Sequence, residues 1–317
     1  MVMAHPVLDA RHFHDEEAAF AYLESKVWPN GPVCPHCGGV DRISKMKGKS
    51  TRIGVYKCYQ CRKPFRVTVK TVFEASHIPL RLWLQAVHLM ACSKKGISSN
   101  QLHRVLGVTL KTAWFMSHRI REAMKVLGME PMGGEGEVVE IDETRFGFQD
   151  GMNKKRAKSF KQGAIPFRNT VLTLVQRGGS ARSFHVDGNT VADILPIVRA
   201  NVKRETAIMT DEAGWYQWVG NEFASHDAVV HSEDEYVRRE GAKVITTNSV
   251  EGFYSVFKRG MKGVYQHCAE KHLHRYLAEF DFRHSNRVAL GVDDVARADR
   301  ALKGIVGKRL TYRTPNQ

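Results

Sequence analysis

The chain has 317 residues, 43% of them hydrophobic, enough to build two or three domains around substantial cores. Its 48 Lys and Arg against 33 Asp and Glu give a formal charge of +15 and a pI of about 9.6, which points to a polyanionic partner such as nucleic acid; plain solubility charge is the blander account. No apolar run reaches membrane-spanning length and Met1 to Arg11 lack the apolar centre of a signal peptide, so a cytoplasmic protein with no membrane partner is expected.

Residues 15–28 read as a short helix, with Asp15 as its cap and Phe20, Leu23 and Val27 on one face. Pro29-Asn30-Gly31-Pro32 stops it. Four cysteines follow at Cys34, Cys37, Cys58 and Cys61, spelling C-x2-C-x20-C-x2-C. Two such knuckles supply the tetrahedral thiolates that a structural Zn²⁺ requires. Two unrelated redox or buried pairs are the rival account, and His36 inside the first knuckle offers an alternative ligand. Cys92 and Cys268 sit in apolar helical patterns and are expected to be unpaired, which suits a reducing compartment. The basic stretch 44–56 between the knuckles reads as a hairpin, and the alternation over 64–73 as a strand.

A helix is expected over 79–93, then one capped by Ser98 or Ser99 and ending near Leu106. Gly107 makes a turn, Thr109 caps, and a longer helix runs over 110–127. This is a helix-turn-helix pattern, and an ordinary helical hairpin is its blander equivalent. Its second helix carries Lys111, Thr112, Trp114, His118, Arg119 and Arg121, and Lys111, Thr112, His118 and Arg119 are the expected DNA-binding side chains.

Residues 129–136 read as a linker. A strand over 137–143 places Val139 and Ile141 on one face and Asp142 at its end. A hairpin around Gly178-Gly179 joins strands over 169–176 and 181–186; an amphipathic helix spans 190–202; a short buried strand ends at Asp211. Together these describe an α/β domain with a mixed sheet. The segment 153–161 is a basic loop whose Lys154, Lys155 and Arg156 are expected to touch phosphates, or else only water.

Asp142 and Asp211 both end apolar strands. If the strands are neighbours, the two carboxylates share a sheet edge and repel unless a cation lies between them. Read singly, each is a polar strand end. A helix beginning near Asn248 has Val250, Phe253, Tyr254, Phe257 and Met261 as its core face. Asn248, Glu251, Ser255, Lys258 and Lys262 form a second stripe, either an exposed charge-paired face or a further ligand with cations aimed at a phosphate. Glu143, Asp187, Asp193 and Glu212 have no such constellation; His226 and His231 read as ordinary polar histidines, and Trp215 and Trp218 as core.

From about residue 15 to residue 290 the chain resembles the zinc-ribbon insertion-sequence transposases of bacteria, the ISXO2-like group. The resemblance is carried by the ribbon, Thr71-Val72-Phe73-Glu74, Ser76-His77-Ile78-Pro79-Leu80, Lys95-Gly96-Ile97-Ser98 and Thr112-Ala113-Trp114-Phe115-Met116. It continues through Glu140-Ile141-Asp142-Glu143-Thr144, Thr210-Asp211-Glu212, Asn248-Ser249-Val250-Glu251-Gly252-Phe253, Lys258-Arg259-Gly260 and His272 to Phe280 with Arg283 and Arg287. It implies a ribonuclease-H-like integrase domain with a DDE acidic triad. Asp142 and Asp211 match the first two acids and Glu251 is favoured as the third, with Asn248 orienting a water or phosphate and Lys258 pairing with a phosphate. Mg²⁺ or Mn²⁺ held by the three acids would serve DNA cleavage and strand transfer at the element's ends.

The expected partition is a helical segment over 1–28, a zinc ribbon over 29–75, a helix-turn-helix over 76–130, the catalytic domain over 137–290 and a basic tail over 291–317. The implied partners are terminal inverted repeats, target DNA and further copies of the chain in an active homo-oligomer, associated with the nucleoid. Glu279, Arg283 and Arg287 are expected to form a salt-bridge ladder or to hold the DNA backbone. A non-catalytic DNA-binding regulator is the rival from another class.

Overall fold

A computed structural model describes residues 6–148, 167–188, 190–241 and 243–311. Lys154, Lys155 and Arg156 lie outside the described residues. The chain divides into one unit made of residues 1–126 and 287–317 and a second made of residues 127–286.

In the first unit, helix α1 (Glu16–Val27) starts where the Asp15 carboxylate accepts the Ala18 amide at 2.7 Å. Strands β1 (Ile43–Lys45), β2 (Tyr56–Cys58) and β3 (Pro64–Phe65) form an antiparallel sheet carrying the cysteine knuckles. Trp28 packs edge to face on Tyr56 and Phe65, its ring centroid 5.5 and 5.7 Å from theirs, and Tyr56 and Phe65 stack on each other. The strand expected over 64–73 is cut to two residues. Lys70 has a left-handed φ of 57°, and Val67, Val72 and Phe73 are buried on successive turns rather than alternating across a sheet.

Helices α2 (Leu80–Cys92), α3 (Ser99–Leu106) and α4 (Leu110–Met124) follow. Ser98 accepts the Gln101 amide, Gly107 closes α3 at φ +65°, and Thr109 accepts the Thr112 amide. Each boundary is set by a local cap, which is why it is readable from the sequence. The segment expected as a basic tail contains a further helix, Asp294–Lys303, packed against α1, α2 and α4. Its Asp299 receives the Tyr22 hydroxyl at 2.5 Å and the Lys26 ammonium at 2.6 Å.

The second unit is built on a five-stranded sheet of β4 (Val138–Phe148), β5 (Phe167–Gln176), β6 (Ala181–Val186), β7 (Ala207–Asp211) and β8 (Ser225–Val229). Its order is β6-β5-β4-β7-β8, antiparallel through the first three and parallel from β4 to β8. This is the mixed ribonuclease-H-like sheet expected from the sequence.

Side chains alternate strictly along β4. Val139 and Ile141 join Ile194, Val198 and Tyr216 of α5 (Val191–Asn201) and α6 (Gly214–Gly220) in one core. The opposite face, with Val171 and Val175 of β5, packs on α7 (Asn248–Gly260) and α8 (Leu273–Ser285). By parity, Glu140 and Asp142 belong to that second face. Strands β9 (Val237–Glu240) and β10 (Lys243–Thr246) form a separate two-stranded ribbon leading into α7. The expected linker is part of this unit: Met132 is 4% exposed and bridges Val202. Glu279 and Arg283, two of the three residues expected in a ladder, form a buried ion pair, with the Tyr265 hydroxyl also on Glu279.

Candidate active site and zinc centre

The four thiols converge. Cys34 and Cys61 sulfurs lie 3.6 Å apart and those of Cys37 and Cys58 3.7 Å apart, and all four fall within 4.8 Å of one another. A tetrahedron with Zn–S bonds of about 2.3 Å has edges of roughly 3.8 Å, so the cage fits zinc. Burial opposes ionisation of the Cys34 thiol, but amides of Cys37 and His36 outweigh it and pull it down to about 7. A Gly39 amide lowers Cys37, but burial and the neighbouring sulfurs push it up to about 12, so without metal the cluster loses its first proton at Cys34 and holds the one on Cys37. Gly38, at φ +75°, turns the backbone behind the first knuckle, where its amide donates to the Cys34 carbonyl at 2.8 Å. Neither Cys92 nor Cys268 forms a disulfide; Cys268 lies between elements rather than in the expected helix.

In the second unit the parallel register pairs Val138, Val139 and Glu140 with Ala207, Ile208 and Met209. Continued two residues, it sets Asp142 level with Asp211, the last residue of β7. Helix α7 is tied to the same edge: the Tyr254 hydroxyl donates to the Asp142 carbonyl at 2.6 Å and lies 3.0 Å from that of Val171. The electrostatics agree with this placement. Burial, reinforced by the charges of Glu143, Asp211 and Glu251, pushes the Asp142 carboxyl up to about 8. Burial also raises Asp211, against a hydrogen bond from the Ala213 amide to its Oδ1 at 3.1 Å.

Glu251 is more open. Its Oε1 accepts from the Thr247 hydroxyl at 2.9 Å and lies 3.4 Å from Nε2 of His231. Lys258, two turns further along α7, is half-buried. Burial lowers its ammonium below the ordinary value while the charge of Asp142 counteracts. Its Nζ stands 5.8 Å from the centre of the Tyr254 ring. Asn248 is exposed at the first residue of α7.

Asp142 and Asp211 thus stand where β7 ends, and Glu251 and Lys258 of α7 are near enough for their charges and that of Asp142 to act on one another. Among the described residues, only the cysteines have all their ligand atoms within 4.8 Å of one another, so the three acids border a wider space than a single closed cation cage. Their donors are all carboxylate oxygens, the set that Mg²⁺ or Mn²⁺ takes.

The other acids have local work. Asp193 makes a capping box with Thr190, Glu212 accepts amides of His231 and Ser232, and Glu143 accepts the Tyr216 hydroxyl. His226 hydrogen-bonds Thr210 at 2.8 Å, and His231 stands beside Glu251 rather than alone on the surface. Trp218, expected in the core, is 68% exposed.

Two expected DNA contacts are corrected. His118 and Arg119 are 1% and 5% exposed. The Arg119 guanidinium donates to the carbonyls of Leu310 and Glu74, both at 3.0 Å, and covers the Phe115 ring. Both residues belong to the inner face of α4. Lys111 is exposed at the N-terminal turn, next to the part-exposed Thr112. That end of a second helix is the part that enters a major groove. Sequence reasoning missed Glu140, a fully buried carboxylate, and its partner Arg177; an acid inside the apolar run Val138-Val139-Glu140-Ile141 was the available signal.

Comparison with known proteins agrees with this construction. Residues 134–285 match the ISXO2-like transposase domain, and residues 14–64 match the transposase zinc-ribbon domain. The chain is 24% identical over 291 residues to an uncharacterized protein in transposable element ISH50 of Halobacterium salinarum, covering 87% of this chain and 93% of that protein. A zinc ribbon joined to a ribonuclease-H-like mixed sheet with acids at its edge defines the DDE transposase class. The chain belongs to the ISXO2-like group of zinc-ribbon insertion-sequence transposases. Among the described residues no helix is long and apolar enough to cross a membrane.

Proposed function

We propose that the second unit cleaves DNA at the ends of an insertion sequence and joins them to target DNA by divalent-cation-dependent phosphoryl transfer. Asp142, Asp211 and Glu251 hold the cations, and the ribbon and helix-turn-helix hold the DNA. The observation that carries the reading is the register of β4 and β7, which sets Asp142 beside Asp211 at the edge to which Tyr254 anchors α7. A non-catalytic regulator has no use for such an arrangement, because it concentrates negative charge around a part-buried acid.

Mg²⁺ or Mn²⁺, when bound, would stabilise charge on the attacking and leaving oxygens of the phosphodiester. The chain's own residues do the rest. Burial keeps bulk water from screening the carboxylates, so their preference for a cation is strong. Lys258 pairs with a phosphate oxygen, a role that its nearness to the Asp142 charge supports, and Asn248 offers an amide that orients a water or a phosphate. In the first step a water oxygen bonds to phosphorus as the bond to the 3′ oxygen breaks, and the strand leaves as a 3′-hydroxyl. In the second step that hydroxyl attacks a target phosphodiester, forming one P–O bond as another breaks. Two ends must be processed together, which calls for a homo-oligomer on DNA.

The test is incubation of the full zinc-loaded chain with labelled element ends, a target plasmid and Mg²⁺ or Mn²⁺, followed by mapping of the products. Joined ends are expected. Cleavage without joining would mark a nuclease instead, and end binding without cleavage would mark a regulator.

A further inference from the structure

Glu140 is not exposed at all, yet it carries a charge-bearing side chain on β4, the strand that also carries Asp142. Both of its oxygens are engaged. Oε1 takes the Arg177 Nε at 2.7 Å and the Ser249 hydroxyl at 2.9 Å; Oε2 takes the amides of Ser249 at 2.7 Å and Val250 at 3.1 Å. These amides are among the first of α7, which has no side-chain cap from its own N-cap residue Thr247. Glu140 therefore caps, from another element, the helix that carries Glu251 and Lys258.

Arg177 completes the joint. Its Nη1 donates to the Val244 carbonyl at 2.6 Å and its Nη2 to that of Thr246 at 2.8 Å. One guanidinium thus grips both the carboxylate on β4 and the end of β10 that feeds α7. Glu140 stands two residues before Asp142 on the same face of β4, while Ser249 stands two residues before Glu251 on α7. The joint is a second hydrogen-bonded route between the two acids, beside the Tyr254 bond to the Asp142 carbonyl.

We propose that Glu140, clamped by Arg177, is a positioning residue that sets the spacing of Asp142 and Glu251. This rests on the assignment of those acids to the cation site above. Glu140 touches no reacting atom, since its lone pairs are spent on the helix and the guanidinium. A buried charge with four charge-assisted or amide partners is a rigid link, and a rigid link between ligands on separate elements is what keeps them at binding distance.

The experiment compares full-length, zinc-loaded E140Q, D142N and the unsubstituted chain. It reads thermal unfolding, binding of labelled ends, Mn²⁺ affinity by electron paramagnetic resonance without DNA, and cleavage kinetics. Glutamine keeps the volume but turns one acceptor oxygen into a donor that faces an amide or the guanidinium. We expect E140Q to fold and bind ends as before, to bind Mn²⁺ about 10-fold or more weakly, and to lower kcat with KM for DNA unchanged. A folded E140Q with undiminished Mn²⁺ affinity and kcat overturns the positioning role, even where D142N loses both. A D142N that keeps Mn²⁺ binding and cleavage overturns the assignment of the acids themselves. If E140Q does not fold, S249A removes only the hydroxyl contact on the same carboxylate. A roughly threefold loss of Mn²⁺ affinity then supports the link, and none overturns it.

Discussion

The hydroxyl of Tyr254 reaches the backbone carbonyl of Asp142 over 2.6 Å, joining the core face of α7 to the point where β4 presents its acid. Tyr254 is buried, and burial together with the charge of Asp142 holds its hydroxyl in the protonated, donating form. Tyr254→Phe leaves that carbonyl without its buried donor, so a loss of about 1–2 kcal/mol in denaturant unfolding is expected. Unchanged stability would mean that water replaces the hydroxyl at no cost.

Asp142 predicts a pH dependence with a definite sign. Its folded value of about 8 lies above the ordinary 3.8, so the folded chain retains a proton that the unfolded chain releases. Without added Mg²⁺ or Mn²⁺, the contribution is fully present below about pH 4 and is lost as pH rises toward about 8. Asp142→Asn should flatten that decline and raise the melting temperature near pH 8, while abolishing cleavage and leaving end binding intact. A variant that loses end binding as severely as cleavage would count against a role in the chemistry. Melting curves across pH, with and without Mn²⁺, check both halves.

Zinc dependence is separable from catalysis. Cys58 is buried in the ribbon and lies 3.7 Å from Cys37 across the cage. Cys58→Ser should release zinc, loosen the aromatic cluster of Trp28, Tyr56 and Phe65, and weaken DNA binding about 10-fold or more, with Mn²⁺ binding by the second unit unchanged. Metal analysis and a gel-shift titration measure this, and full zinc content in the variant would refute the ligand set.

Lys111 and Arg119 should behave oppositely although both are basic residues of α4. Lys111→Ala should weaken end binding across sequences and reduce the salt slope by about one, with stability altered by less than about 0.5 kcal/mol. Arg119→Ala strands the carbonyls of Glu74 and Leu310 and should cost about 2–4 kcal/mol of stability. If Arg119→Ala folds normally and only DNA affinity falls, the inward orientation of Arg119 is not its working one.

Local signals carried far in this chain, and distant ones did not. Asp15, Ser98, Thr109 and Gly107 mark helix ends because a cap satisfies amides within three or four residues, and the β5–β6 turn announces itself through Gly178-Gly179. The stripe of Val250, Phe253, Tyr254 and Phe257 is the core face it was expected to be. Asp211 ends its strand as expected, but Asp142 lies inside β4, which runs on to Phe148 because β5 pairs with it that far, and the neighbourhood of the two acids depends on a parallel pairing that no local pattern encodes. Arg119 looks like a DNA contact until Leu310, 191 residues away, takes its hydrogen bond. Glu140 looked like motif filler because its partners, Arg177 and Ser249, come from two other elements.

The helix over Asp294–Lys303 changes what a shortened copy of this protein would do. It closes the front unit from behind, and Gly304 lets it: a Cβ there would sit 2.2 Å from the Ala123 carbonyl oxygen. A premature stop after residue 286 would spare every acid of the proposed cation site, yet remove a wall from the unit proposed to hold DNA. On that proposal such a gene would encode intact shears without a grip, and it would read as dead in a mobility assay for reasons that inspection of its acids could not reveal.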